Sequence, residues 1–341
     1  MNKKEIKLQA SIIVCTHNGE KRIKNCLNSL LKQSYNRKEY EIIVVDDGST
    51  DRTSSIVSEF PVRLYKHTKN RGLAAARNTG LKHARGKVYI CFDDDCLADQ
   101  NWLKEILEMY KKPVAGVGGY TKNSTSGIVD MFLANLGHGN PSPVPMKIPS
   151  GVIQRFYNYI ENMYKRNPAA KNNIYKVSEL WGENCSFPTH ILKSVNGWDE
   201  TQSGIEDTEL CQRIKNTTDL PFIITRKAKI LHDGTASFND LIQKQFKRGL
   251  PILRYYNSYN KFPPIFPFPL MYIISSVILF SLFGLKSLLI LIMLPQVLYG
   301  WWLVLYFKTH KPYYLIFPYM QLIHELSLLL GFIRGVIKLK M

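Results

Sequence analysis

The stretch GKVYICFDDDCL, residues 86–97, runs apolar, strand-favouring residues straight into three consecutive aspartates. Adjacent carboxylates repel, so a fold keeps such a cluster only where a cation faces it or water screens it. If VYICF is a central strand, Asp93, Asp94 and Asp95 emerge at its carboxyl end. In an extended chain Asp93 and Asp95 point one way and Asp94 the other. Two carboxylates converging on one spot suit a hard cation, Mg2+ or Mn2+, whose shell is completed by water and phosphate. The plainer reading is a solvated acidic turn capping the helix of NWLKEILEMY. A second strand-like run, EIIVVDDGSTD, ends the same way with Asp46 and Asp47. There turn and N-cap chemistry compete with ligand binding, and both can hold together. SIIVCTHNG brings Thr16 to the same edge, and RGLAAARNTG adds Arg71 and Arg77. A guanidinium such as that of Arg77 suits a nucleotide base or phosphate.

These side chains meet only if the intervening elements bring them together. From Ser11 to about Gly119 short β-branched runs alternate with helical patterns. SIIVCTHN, EIIVVDDGS, VRLYKH and KVYICFDDD read as strands, separated by helices in EKRIKNCLNSLLKQ, DRTSSIVSEF and GLAAARNTGLKHA and followed by one in NWLKEILEMYK. Near-continuous apolar strands alternating with helices predict a parallel sheet covered on both faces, with ligands beyond the carboxyl ends of its strands. Residues 121–175 break the rhythm and read as a variable insert or lid, since NPSPVPMKIPSG suits neither a helix nor a central strand. YKVSELWGENCSF and PFIITRKAKILH restore strand patterning. SFNDLIQKQFKRGLPILRYY reads as an amphipathic helix with a basic face, and KFPPIFPFP as a stiff junction.

Lys and Arg outnumber Asp and Glu by 45 to 27, a net charge of +18, which favours an anionic partner: nucleic acid, anionic lipid or a phosphate-bearing substrate. Nothing resembles a nucleic-acid-binding module or a P-loop. The 6 cysteines include no CxxC pair and read as reduced thiols. MNKKEIKLQA has charge but no apolar region of signal-peptide length after it, so the N-terminal part is expected in the cytoplasm.

Most of the membrane-length apolar runs lie after Phe262. Residues 267–285 and 287–307 read as a tight transmembrane hairpin, the second ending in Trp301, Trp302, Tyr306 and Phe307 as at a membrane interface. Residues 313–333 form a third segment, spanning or re-entrant, with cations beyond it. The expected organisation is a catalytic domain at 1–235, an interface helix and junction at 236–266, and a multi-pass cell-membrane region at 267–341.

Taken together, SIIVCTHNG, VVDDGSTD, NRGLAAARNTG and CFDDDC, in this order and spacing, resemble the nucleotide-sugar half of inverting family 2 glycosyltransferases of the GT-A fold. GENCSF, VNGWDE and GIEDTELCQRI resemble the acceptor-side motifs of that family. The resemblance covers roughly residues 8–235. It implies an α/β fold with a mixed, mostly parallel sheet and helices on both faces, followed by transmembrane helices. It also implies a nucleotide-diphosphate sugar donor and a divalent cation. Thr16, Asp47 and Arg77 would hold the nucleoside, with Asp46 beside them and Asp93 and Asp94 toward the nucleotide sugar. Asp93 and Asp95 would form the metal-binding D-x-D, Asp95 the more direct ligand, with His232 a further metal or diphosphate contact. Asp207 would be the catalytic base, with Glu206 the alternative, and Gly182 and Asn184 would border acceptor and donor sugar.

A base and a metal-held diphosphate suffice for inversion, which needs no covalent intermediate. Processive relatives carry Q-x-x-R-W at the membrane. Gln245 and Arg248 match, Arg248 within reach of a diphosphate, but Gly249 replaces the tryptophan, which argues for transfer of one sugar. The membrane anchor motivates a lipid-linked or membrane-proximal glycan acceptor, as in cell-surface polysaccharide or glycoconjugate synthesis. The alternatives are a processive polysaccharide synthase, a nucleotidyltransferase, or a non-catalytic basic membrane-tethered binding protein.

Overall fold

The computed structural model describes residues 8–123, 127–136, 151–164, 172–202, 204–232, 237–260 and 264–340. The first seven residues of the expected cytoplasmic lead-in lie outside them. So do all but the last residue of NPSPVPMKIPSG and the first three of KFPPIFPFP. The chain divides into two compact units.

In the first unit, β1 (Ala10–Thr16), α1 (Ile23–Leu31), β2 (Tyr40–Asp46), α2 (Thr53–Ser58), β3 (Arg63–Lys66), α3 (Leu73–His83) and β4 (Val88–Asp93) alternate as the apolar pattern predicts. β5 (Cys96–Ala98), α4 (Trp102–Met109) and β6 (Gly116–Asn123) follow. Beyond α5 (Ile128–Asn135) and α6 (Val152–Tyr164) the unit resumes with β7 (Ile174–Val177), β8 (Asn184–Pro188), α7 (Thr189–Ser194), α8 (Glu206–Thr217) and β9 (Phe222–His232). The sheet order is β3-β2-β1-β4-β8-β6-β9-β5, with β7 also on β9. The first four strands are parallel, and β8 runs antiparallel to both β4 and β6. This is the GT-A arrangement, a mixed and mostly parallel sheet.

Period-two alternation makes both faces of the central strands apolar. Ile12, Val14, Ile42, Val44, Ile90 and Phe92 join one buried layer with Leu27 of α1 and Trp102 of α4. Ile13, Ile43, Val45, Tyr89 and Cys91 join the other with Leu192 of α7 and Leu210 of α8. β6 escapes a sequence reading because its glycines weaken strand propensity, yet it lies inside the sheet between β8 and β9. The topology sets the site. The parallel strands end together at Thr16, Asp46 and Asp93. Antiparallel β8 begins at that same edge, with Asn184 opposite Phe92. β5 brings Cys96 opposite His232.

The second unit is helical: α5, α6, α9 (Phe238–Ser258), α10 (Pro267–Phe283), α11 (Leu288–Leu298), α12 (Trp301–Thr309) and α13 (Phe317–Lys340). The expected insert at 121–175 is therefore divided, because Val129 and Phe132 of α5 and Tyr159 of α6 pack into the aromatic cluster of this unit. The helical stretches Pro267–Leu298 and Phe317–Lys338 are long and apolar enough to cross a membrane. The expected second arm, 287–307, is not one helix. It carries Pro295 and breaks at Tyr299–Gly300, because proline lacks a backbone donor and glycine is a weak helix former. Trp301 and Trp302 do not form an interfacial belt either: both are buried, with Tyr299, Tyr314 and Phe317 around them.

The glycine that replaces tryptophan in QKQFKRG also has its reason here. A Cβ on Gly249 would run into the backbone of Gly331 and Phe332, and one on Gly331 into the carbonyl of Phe246. α9 and α13 thus cross backbone to backbone, the close approach that small residues permit. A tryptophan does not fit at 249.

Candidate active site

The loops after β1, β2 and β4 are held by their own acidic residues. Asp46 accepts the Ser49 amide at 2.9 Å and the Ser54 hydroxyl, closing the GST turn. Asp47 accepts the amides of Arg71 at 2.9 Å and Gly72 at 2.7 Å, and pairs with His67 Nδ1 at 2.6 Å. Gly72 caps α3, so Asp47 supplies an acceptor where helix amides lack one and thereby positions the helix that carries Arg77.

The three consecutive aspartates diverge. Asp94 and Asp95 form a turn between β4 and β5, so the alternation of an extended chain does not apply to them. Asp94 accepts the Thr16 hydroxyl at 2.5 Å and a two-pronged contact from Arg22 at 3.2 Å. Burial raises its carboxyl above the usual range, against the pull of Thr16 and Arg22. Asp93 lies 3.9 Å from the Arg77 guanidinium. Burial lifts it to about 7, with Arg77 opposing and Asp95 and Glu183 adding to the rise. Asp95 lies 3.4 Å from His232 Nε2. Burial works against both charges of that pair, but the mutual hydrogen bond wins, holding Asp95 low and lifting His232 to about 9.

Arg77 is the hub. It is 2% exposed, and its Nη1 donates to Asp207 Oδ1 at 2.6 Å and lies 3.7 Å from Glu206. Its guanidinium also faces the Trp198 ring, 5.8 Å from the centroid. Asp207 and Glu206 open α8, where the helix amides favour negative charge. The Gly182 amide donates to Asp207 Oδ2 at 2.9 Å, and the Trp198 indole to Oδ1 at 3.3 Å. A Cβ on Gly182 would overlap Arg77, so only glycine lets this loop approach. Glu206 is the more buried of the two carboxyls, and burial followed by the Asp207 charge raises it. Asn184 accepts the Trp102 indole at 2.8 Å, while its buried Nδ2 has no partner among the described residues. An unpaired buried amide costs about 1–3 kcal/mol, so this donor is a fitting contact for a ligand.

Sequence reasoning missed Glu183, between the expected Gly182 and Asn184. Burial raises it, and it senses His232, Asp95 and Asp207 together. Its position just before a strand antiparallel to β4 was the available signal. It also missed Arg22, His67 and the indole donor of Trp198. Arg248 lies on α9 of the second unit.

The result is one charged rim running from His232 and Asp95 through Asp93 and Arg77 to Asp207. The carboxyls of Asp93, Asp95, Glu183, Glu206 and Asp207 share the cations Arg77 and His232. Ligand atoms of Asp95, His232 and Cys96 lie within 4.8 Å of one another. Cys96 is fully buried and burial raises its thiol well above its usual value, which leaves oxygen and imidazole donors. Those donors, together with the excess of carboxyls around them, fit a hard divalent cation.

The chain is similar to known proteins in sequence and in fold. Residues 11–171 match the family described as Glycosyl transferase family 2. The glycosyltransferase AglE of Haloferax volcanii is 26% identical over 251 residues, covering 70% of this chain and 71% of that protein. A dolichyl N-acetyl-alpha-D-glucosaminyl phosphate 3-beta-D-2,3-diacetamido-2,3-dideoxy-beta-D-glucuronosyltransferase of Methanococcus voltae is 25% identical over 344 residues, covering 96% and 97%. Among solved structures, the mannosyltransferase PcManGT from Pyrobaculum calidifontis, in complex with GDP-Man and Mn2+, matches with a TM-score of 0.57 and 17% identity, over 96% of this chain and 87% of that one.

Proposed function

We propose that this chain, whose residues 11–171 match Glycosyl transferase family 2, is a glycosyltransferase of that family and moves one sugar, with inversion, from a nucleotide-diphosphate donor to a lipid-linked glycan acceptor. The observation that carries this reading is the continuous rim from Asp95 and His232 to Asp207 at the carboxyl ends of the strands. The dolichyl-linked acceptor in the name of the Methanococcus voltae relative, and the membrane-length helices of this chain, support the acceptor class. A multi-pass membrane enzyme with its catalytic unit on the cytoplasmic side, in glycan assembly at the cell surface, is part of the same proposal.

In this reading the donor nucleoside lies over the loops that Asp46 and Asp47 shape. Thr16 and Arg22 hold Asp94 in place below it. Asp95, His232 and Asp93 hold a divalent cation, Mg2+ or Mn2+, which when bound neutralises charge on the departing diphosphate. Asp207 takes the proton from the acceptor hydroxyl at Oδ2, the oxygen that carries only the Gly182 amide. Arg77 and Trp198 fix the carboxylate through Oδ1. Asn184 Nδ2 meets the donor sugar. The backbone crossing at Gly249, which leaves no room for the tryptophan of processive enzymes, supports single-sugar transfer.

The test is a screen of uridine, guanosine and thymidine diphosphate sugars with Mg2+ or Mn2+ and polyprenyl-linked or soluble acceptors, reading nucleoside diphosphate release. Donor-dependent release that is lost in Asp95→Asn and Asp207→Asn is expected. Release of pyrophosphate instead, or activity untouched by both substitutions, overturns the reaction class. Activity confined to soluble acceptors overturns the lipid-linked acceptor.

A further inference from the structure

Helix α6 presents an apolar stripe that, among the described residues, nothing in its own unit covers. Val152, Ile153, Phe156 and Tyr157 are 56%, 87%, 44% and 60% exposed, and their spacing puts them on one side of the helix. Gln154 lies on the opposite side and is also exposed. A lone exposed leucine needs no explanation, but a contiguous apolar stripe on an amphipathic helix does.

The contacts that pin α6 say what covers it. Tyr159 donates its hydroxyl to Glu325 of α13 at 2.5 Å and sets its ring edge-on to Phe268, 5.4 Å between centroids. Arg155 lies over the ring of Tyr256 at 4.8 Å. Phe268 belongs to the first turn of α10, the entry end of the apolar stretch Pro267–Leu298, whose outward residues are largely exposed. α6 is therefore fastened where that stretch begins. A helix fixed there, with aliphatic and aromatic side chains turned outward, has the composition of one lying at the headgroup–acyl boundary.

We propose that α6 is an in-plane membrane helix, with Val152, Ile153, Phe156 and Tyr157 dipped into the lipid at the point where α10 enters it. This rests on the membrane reading of α10 and adds a second, lateral contact to it. The net charge of +18 favours a bilayer containing anionic lipid.

The test places nitroxide labels at Ile153→Cys, Phe156→Cys and Gln154→Cys of the full chain in phosphatidylcholine–phosphatidylglycerol vesicles, with Val277→Cys on α10 as reference. All four sites are surface positions. Of the native cysteines Cys15 is half-buried and Cys26, Cys91, Cys96, Cys185 and Cys211 are buried, so labelled wild-type protein sets the background. Relaxation by oxygen is expected to exceed relaxation by a water-soluble nickel chelate several-fold at Ile153 and Phe156, with the ratio reversed at Gln154. Equal nickel accessibility at Ile153 and Gln154, with Val277 in lipid, overturns this proposal alone. Val277 in water overturns the membrane reading beneath it. Dipolar broadening between Ile153 labels that grows with protein density assigns the stripe to a second copy of the chain and also overturns the proposal.

Discussion

Asp207 and Glu325 are both carboxyls held in place by several donors, one in each unit, and they are held in opposite ways. On Asp207 a guanidinium and an indole meet one oxygen and a backbone amide the other. On Glu325 the donors are neutral: the hydroxyls of Tyr159 and Tyr299 on one oxygen, at 2.5 and 3.0 Å, and the Gln321 amide on the other at 2.9 Å. A charged donor gives a carboxylate the stronger, charge-assisted hydrogen bond. Neutral donors tie a carboxyl into a packed core, where its service is to join α6, α13 and the Tyr299 turn. In the proposed reading the first unit gathers acidic residues at a rim for chemistry, whereas the cluster around Glu325 in the second unit fixes helices.

The comparison can be broken most sharply at Asp207. In the proposed mechanism Asp207→Asn removes the base, so nucleoside diphosphate release should fall by about 10²–10⁴-fold, and because the amide also gives up the charge paired with buried Arg77 the thermal melt should fall while the fold is retained. Next comes Arg77→Met. It leaves Asp207, Glu206 and Asp93 without their shared cation, and should remove about 3–5 kcal/mol from the stability of the first unit, read by urea titration. In the second unit the corresponding weak point is packing, not charge. Gly331→Leu places a side chain into the Phe246 carbonyl and should cost about 1–3 kcal/mol, seen as a lower melting temperature in detergent.

Glu325→Gln sharpens the contrast. The amide oxygen can still accept both tyrosine hydroxyls, but its nitrogen then faces the Gln321 amide donor, whose own oxygen is held by the Trp302 indole, so the loss of one hydrogen bond, about 0.5–1.5 kcal/mol, is expected, whereas Glu325→Leu strands all three donors and should cost about 1–3 kcal/mol for each. A Glu325→Gln loss as large as that of Arg77→Met would erase the distinction between the two units.

The smallest effect belongs to Glu41, at the opposite end of the sheet from the rim. Burial pushes its carboxyl up, but Ser11, Arg85 and Arg63 donate to it and bring it below the usual glutamate value. A depressed carboxyl stabilises the fold above its unfolded pKa of about 4.3, and that stability is lost as pH falls through the lower folded value. Acid unfolding of the wild type should therefore steepen below about pH 4.3, and Glu41→Gln should flatten that limb.

How much of this was legible depended on the residue. Thr16, Asp46, Asp47 and Asp93 could be placed from the chain because each ends an apolar run, and parallel strands must end together. Gly182, Asn184, Glu206 and Asp207 were found through the motifs around them. Glu183 was overlooked because its role follows from β8 running antiparallel to β4, which no local pattern states. β6 was hidden by its glycines, and Trp301 and Trp302 had the composition of an interfacial belt while their burial depends on the break at Gly300.

What the chain alone determined was the repeating order of strands, the helices between them, the chemistry of their ends and the strongly apolar character of the chain after Phe262, because these follow from local propensity and from period-two and helical patterning. What only the tertiary structure decided was partnership: Asp95 with His232, Arg77 with Asp207, Gly249 against Gly331, and Tyr159 on Glu325. Each pair joins residues far apart in sequence, and which groups meet is fixed by strand order and helix crossing, properties of the whole packed chain.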